Sequence, residues 1–277
     1  MTNEKCRAYG RASSILHLSF CIFHFPAFRI GHLGQSARNG SPCWRTRCSS
    51  AISFRVVTPD STSPPKRRLG VSIAQAANRL FCRCYHTIEV QTPVPIPRRG
   101  PAILVCNHLS GLDPMLVQAA NPRMVTWMMA KEYYDLKALT WLYKLVEAIP
   151  VERSGRDLAA TRSALRALAH GRVLGVFPEG KIETSRDLLP FQTGVAMMAI
   201  KTGVPVFPAY LDGTQRGHEM VEAIVHPRHA TIRFGPAVEF ARKSTSKESL
   251  EQGTRAIREA VGVLKLATEV AGLSRRR

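Results

Sequence analysis

The sequence predicts an α/β fold in which helices flank a mainly parallel sheet. Short apolar runs recur along the chain, and most stretches between them carry apolar residues at helical spacing. Strands that alternate with helices in this way suit a parallel sheet covered on both faces. Residues 71–85 read as a helix with Ile73, Ala76, Ala77, Leu80, Phe81 and Cys84 on one side. Strands are expected at 88–90 and 102–106, separated by the turn-rich residues 93–100. A helix begins at Pro114 and runs to 120, and residues 124–129 are strand-like. Residues 134–146 place Leu136, Leu139, Leu142, Tyr143 and Val146 at helical spacing. Residues 158–170 form an amphipathic helix ended by Gly171, with Arg156, Arg162 and Arg166 on its wet side. A strand at 173–177 follows, then a helix at 191–201 closed by Gly203, and a strand at 204–210. A short strand at 231–234 and a helix at 250–270 complete the pattern, and no internal repeat is visible.

A chain of 277 residues suits one domain with appendages. Residues 71–277 are assigned to that domain, and residues 1–70 to a disordered or spurious basic tail and linker. The tail mixes Arg, Ser, Pro and Cys without periodicity, and its only acidic residues are Glu4 and Asp60. An organellar transit peptide shares that composition, whereas a secretory signal fits poorly because no small-residue cleavage site clearly follows the apolar residues 15–28. The formal net charge is +19, of which residues 1–70 contribute +9 and the remainder +10. The domain itself is therefore basic and suited to polyanions, including lipid headgroups and phosphorylated carriers. No nucleic-acid motif accompanies the charge, so nucleic acid is not expected as a partner. The seven cysteines lack paired C-x2-C spacing, which argues against structural zinc and against a disulfide framework. No run of 18 apolar residues occurs, so no segment is expected to span a bilayer.

The chemistry concentrates after the strand at 102–106, where the chain reads Asn107-His108-Leu109-Ser110-Gly111-Leu112-Asp113. On a helix His108 and Asp113 would lie about 140° apart, so they meet only if the chain bends between them. Ser110-Gly111 supplies the bend, and Asp113-Pro114 reads as an N-cap and first helical residue. The pair then suits a carboxylate fixing the tautomer of an imidazole base. The same string fits a satisfied loop histidine with Asp113 a plain cap. Two further strings accompany it at strand positions, Phe177-Pro178-Glu179-Gly180 and Val204-Pro205-Val206-Phe207-Pro208.

Together the three strings resemble the glycerolipid acyltransferase family that includes 1-acylglycerol-3-phosphate acyltransferases. The resemblance covers roughly residues 85–240, with the three motifs in the family's order. It implies the family's fold for residues 71–277. It also implies acyl transfer from a thioester to the hydroxyl of lysophosphatidate, giving phosphatidate, with His108 as general base and Asp113 as its orienter. Two departures bear on the acceptor. A further family motif, lying between the first two strings, stands here as Glu147-Ala148-Ile149-Pro150-Val151-Glu152-Arg153, which keeps the terminal Arg and an acidic neighbour. The Phe177–Gly180 string continues Lys181-Ile182-Glu183, so the family's Arg is replaced by Ile182, with Lys181 and Arg186 nearby.

The expected substrate-binding set is Asn107, Arg153, Glu179, Gly180 and Lys181. Arg153 and Lys181 are candidates for the acceptor phosphate. Glu179 is expected to contact glycerol hydroxyls or to hold Arg153, and oxyanion donors are expected among backbone N–H groups near Gly111 or Gly180. Cys106 reads as a packed core residue rather than a nucleophile. No metal or other cofactor is expected, and the co-substrate is acyl-CoA or an acyl carrier protein thioester. The partners implied are that carrier, a lysophospholipid and a membrane surface, on whose cytoplasmic face the protein would sit as a peripheral or monotopic enzyme. Residues 71–85 and 127–143 are the expected docking stretches. The Gly180-Lys181-Ile182 string is also similar to tafazzin-like lysophospholipid transacylases, which gives a phospholipid-remodelling alternative. A non-catalytic basic lipid- or nucleic-acid-binding protein is the alternative from another class.

Overall fold

The computed structural model describes residues 69–153, 157–185, 187–241 and 245–274; the tail expectations, Arg156 and Arg186 lie outside them. The elements run α1 (Leu69–Cys84), β1 (Thr87–Val90), β2 (Ala102–Cys106), α2 (Asp113–Ala120), β3 (Val125–Ala130), α3 (Lys131–Tyr134), α4 (Thr140–Leu145) and β4 (Ile149–Val151). They continue with α5 (Leu158–Ala169), β5 (Val173–Val176), α6 (Gly194–Thr202), β6 (Val206–Asp212), α7 (Met220–Val225), β7 (His229–Phe234) and α8 (Lys247–Ser274). The seven strands form one sheet in the order β1-β7-β6-β2-β5-β3-β4. Every neighbouring pair is parallel except β6 and β7.

The central strand shows why the sheet is covered twice. All five residues of β2 are fully buried. Successive side chains on a strand point to opposite faces. Ile103 and Val105 join a layer with Ala164 and Leu168 of α5, Ala196 and Ala199 of α6, and Ile257 and Val261 of α8. Ala102, Leu104 and Cys106 join the opposite layer with Cys82 of α1 and Leu116 and Val117 of α2. Each large aliphatic side chain buried in this way contributes about 1.5–3 kcal/mol.

Four features differ from the sequence expectation. The helix expected over 134–146 is two short helices, α3 and α4, because residues 135–139 turn between them. The strand β4 is three residues long with Pro150 at its centre, which its edge position tolerates. Helix α7 has no long apolar period to announce it. Helix α1 exposes part of the apolar side expected of it: Gln75 and Cys82 are buried, whereas Ile73 and Leu80 are exposed. Polar groups fix that orientation, with Asn78 Nδ2 donating to the Met115 carbonyl (2.9 Å) and Arg79 to that of Asn121 (3.1 Å). Trp127, expected at a docking surface, is a core residue, while Trp141 is exposed. Among the described residues no helix is long and apolar enough to cross a membrane.

Candidate active site

Parallel pairing brings the carboxyl ends of β2, β3, β4, β5 and β6 to one edge of the sheet, the edge where α/β folds bind ligands. His108 follows β2, Glu179 follows β5, and Lys131 and Arg153 follow β3 and β4.

The His108–Asp113 loop is built around one carboxylate oxygen. Asp113 Oδ2 accepts from Leu109 N–H (2.6 Å) and Ser110 N–H (2.8 Å), and lies 3.0 Å from His108 Nδ1. Asp113 is fully buried, whereas the His108 side chain keeps 16% exposure. Asp113 is thus not the N-cap expected of it: α2 begins at Asp113 with Leu112 in the cap position, and the carboxylate turns back onto its own loop. The reason is that two loop amides and an imidazole outbid the helix amides for the same oxygen. Gly111 is required where it stands, since a Cβ there would lie 2.4 Å from the Met220 backbone nitrogen. Asn107 is buried, and its side chain bonds to the backbone. Its amide donates to the Leu211 carbonyl (2.9 Å) and accepts from Leu211 N–H (2.8 Å), fastening the end of β2 to β6.

A ring stack, not foreseen from the sequence, supports the imidazole. His108 stacks on Phe177 at 4.1 Å between centroids, and Phe177 stacks on Trp127 at 4.9 Å. Gly175 makes room for it, because a Cβ there would lie 2.5 Å from Trp127 Cε3. The available signal was a glycine inside an apolar strand, which marks a close approach.

Glu179 is 5% exposed and neither carboxylate oxygen has a hydrogen-bond partner among the described residues. Burial pushes its carboxyl up to about 7. It does not hold Arg153. Gly180 has φ +70°, and its N–H donates to the Phe177 carbonyl (3.2 Å), while Gly111 N–H donates to that of His218 (2.9 Å). Of the backbone N–H groups near Gly111 and Gly180 among which oxyanion donors are expected, these two are engaged within the fold. Burial also pushes the Cys106 thiol well above its ordinary range, and the residue is a core side chain as expected.

Arg153 and Lys181 are both exposed. Arg153 lies over the Tyr133 ring, 5.9 Å from its centroid, and Tyr133 donates to the Glu219 carboxylate at the start of α7. Burial and Glu219 push the Tyr133 phenol up to about 12, which keeps its proton on. Arg153 lines one cleft with Lys131, Glu132, Asp135 and Glu152, and Lys131 pairs with Glu152 at 2.6 Å. Among the described residues no cluster of His, Cys, Asp and Glu could hold a metal ion.

Comparison with known proteins agrees with this geometry. The sequence model of the family described as Acyltransferase matches residues 87–212. The chain is 29% identical over 154 residues to a 1-acyl-sn-glycerol-3-phosphate acyltransferase of Limnanthes alba, covering 54% of each chain. It is 25% identical over 134 residues to one from Bacillus subtilis, covering 48% of this chain and 66% of that protein. The chain thus spans about half the length of the Limnanthes relative and just under two thirds of the Bacillus one. Its fold matches the crystal structure of the 1-acyl-sn-glycerophosphate acyltransferase PlsC from Thermotoga maritima, with a TM-score of 0.54 and 22% identity, covering 70% of this chain and 80% of that one. The family match takes in β1 through β6 with the His108–Asp113 loop and the Phe177–Gly180 turn, so it is these residues that are similar to the acyltransferase family.

Proposed function

We propose that the protein transfers an acyl group from a thioester to the free hydroxyl of lysophosphatidate, forming phosphatidate. The observation that carries this reading is the 3.0 Å contact of His108 Nδ1 with the buried Asp113 carboxylate. An alcohol is a weak nucleophile at neutral pH, so it needs a base as it attacks. With Nδ1 held by Asp113, Nε2 is the nitrogen that takes the hydroxyl proton. The acceptor oxygen bonds to the thioester carbonyl carbon, the C–S bond breaks, and the imidazolium returns its proton to the departing thiolate. Asp113 stabilises the imidazolium and fixes the ring.

Exposed cations beside the site support a phosphate-bearing acceptor. Arg153 supplies a planar fork, and Lys131 lines the same cleft as a point charge. Lys181 is a third exposed cation on the turn after Glu179. Acyl-CoA or an acyl carrier protein is the proposed donor, in keeping with the basic charge of the domain. The relatives' names supply the acceptor. The outward apolar side of α1, with Leu69, Ile73 and Leu80 exposed, is the proposed membrane contact of a peripheral enzyme.

The replacement by Ile182 of the Arg that follows the family's Phe-Pro-Glu-Gly string favours a second reading, a remodelling acyltransferase for zwitterionic lysolipids. Transfer of labelled acyl groups from acyl-CoA to lysophosphatidate and to lysophosphatidylcholine separates the two. Product from lysophosphatidate alone is expected; product from lysophosphatidylcholine alone would replace the first reading by the second.

A further inference from the structure

Arg216 stands outside every family motif, yet it ties together the segments that carry two of them. It lies in the loop between β6 and α7, with its side chain 30% exposed. One guanidinium nitrogen donates to Glu183 Oε2 (3.1 Å) and to the Ser185 carbonyl (2.8 Å), and the other donates to Asp212 Oδ1 (3.1 Å). Glu183 and Ser185 belong to the loop that follows Glu179-Gly180, and Asp212 ends β6. Glu183 is buried, and its backbone N–H donates to the carbonyl of His108 itself (2.7 Å). The neighbours of Arg216 grip the same histidine loop from the other side. Gly217 N–H donates to the Leu109 carbonyl and the His218 carbonyl accepts from Gly111 N–H, each at 2.9 Å.

We propose that Arg216 is a positioning residue for acyl transfer, holding the His108 loop and the Glu179–Lys181 turn at a fixed separation through Glu183. This rests on the reading of His108 as the base. With its donors engaged by two carboxylates and a carbonyl, the guanidinium is neutralised by this chain rather than offered to a substrate phosphate. Lysine would supply the charge but not the planar fork that reaches three acceptors on two segments. Loss of the fork frees the buried Glu183 and loosens the backbone bond that its N–H makes to His108. A displacement of about 1 Å at a reacting group can cost about 10²-fold in rate.

The test compares Arg216→Ala, Arg216→Lys and, as a control, Arg255→Ala on the exposed face of α8, in the full-length protein. Transfer from acyl-CoA to lysophosphatidate is measured with and without a low, non-denaturing concentration of guanidinium. Melting temperature and the NMR shifts of the His108 imidazole, assigned by their loss in His108→Ala, are followed in parallel. Arg216→Ala is expected to lose about ten- to a hundred-fold in kcat, while KM for either substrate changes less than about threefold. Guanidinium should restore part of that rate in Arg216→Ala only, and return the displaced His108 shifts toward those of the unsubstituted protein. Arg216→Lys should fall between. A rise in acceptor KM at unchanged kcat, a rate loss that tracks melting temperature without rescue, or unmoved His108 shifts would each overturn the proposal. An unsubstituted protein inactive on every lysolipid would count against the acyltransferase reading, and the imidazole shifts would still decide the role of Arg216.

Discussion

The two halves of the site are held in opposite ways. Around His108 the chain uses buried, mostly backbone hydrogen bonds: Asp113 Oδ2 takes two amides, and the His108 and Leu109 carbonyls are both engaged. Around Arg153 it uses exposed ions and a ring face, with Lys131 and Glu152 both about half exposed. Exposed pairs contribute little to stability, about 0–1 kcal/mol, and rearrange readily around an incoming anion. The rigid half therefore suits a proton transfer with one productive geometry, and the adaptable half suits binding a charged headgroup. Substitutions in the first should change kcat, and substitutions in the second KM.

The sharpest way to break this division is Asp113→Asn. It keeps the volume but presents an amide where a carboxylate fixed the imidazole, and kcat is expected to fall by about 10²- to 10⁴-fold. Steady-state kinetics beside a circular dichroism spectrum check it, and a loss confined to KM would erase the distinction between the halves. Arg153→Ala comes next. Its KM for lysophosphatidate should rise by about ten- to a hundred-fold, with a smaller change for the thioester, as expected for one charge-assisted phosphate contact. Arg153→Lys should recover only part of that, since it lacks the fork. If kcat falls instead, Arg153 belongs with the rigid half.

A third, smaller effect concerns α1. Replacing both exposed residues Ile73 and Leu80 by Glu should weaken co-sedimentation with anionic vesicles by about tenfold, or about 1.4 kcal/mol, the part of two aliphatic side chains' transfer energy that shallow insertion at the headgroup level recovers. Turnover on detergent-dispersed substrate should be unchanged, and equal vesicle binding by both proteins would remove α1 as the contact.

The smallest effect concerns stability. Glu179 has its carboxyl raised to about 7 from an ordinary value of 4.5, so the folded state holds a proton that the unfolded chain has already released between those limits. Stability from this residue is complete below about 4.5 and falls as pH rises toward 7. Melting temperature should decline by several degrees across that window, and Glu179→Gln should flatten the decline. An identical slope in the variant would show that Glu179 is ionised in the fold throughout.

The rigid half was also the more legible half in the sequence. His108, Asp113, Glu179 and Gly180 stand in strings at strand ends, and the bend at Ser110-Gly111 was required for the first two to meet. What surrounds them was less visible. Phe177 and Trp127 are fifty residues apart and meet only because β3 and β5 pair. Arg216 reaches Glu183 across the end of the sheet, a contact that depends on β6 lying beside β2 rather than on any spacing along the chain. The outward face of α1 was visible as an apolar side, although periodicity does not say what covers it. Likewise, nothing in the short run of β7 distinguishes its antiparallel pairing from a parallel one.

The proposed function rests on His108 as the base. Its most direct test is His108→Ala assayed for acyl transfer to lysophosphatidate under saturating donor, beside melting temperature as a check on folding. A fall in kcat of about 10²- to 10⁴-fold in a protein that melts as the unsubstituted one does is the predicted result. Near-normal turnover by that folded variant would contradict it.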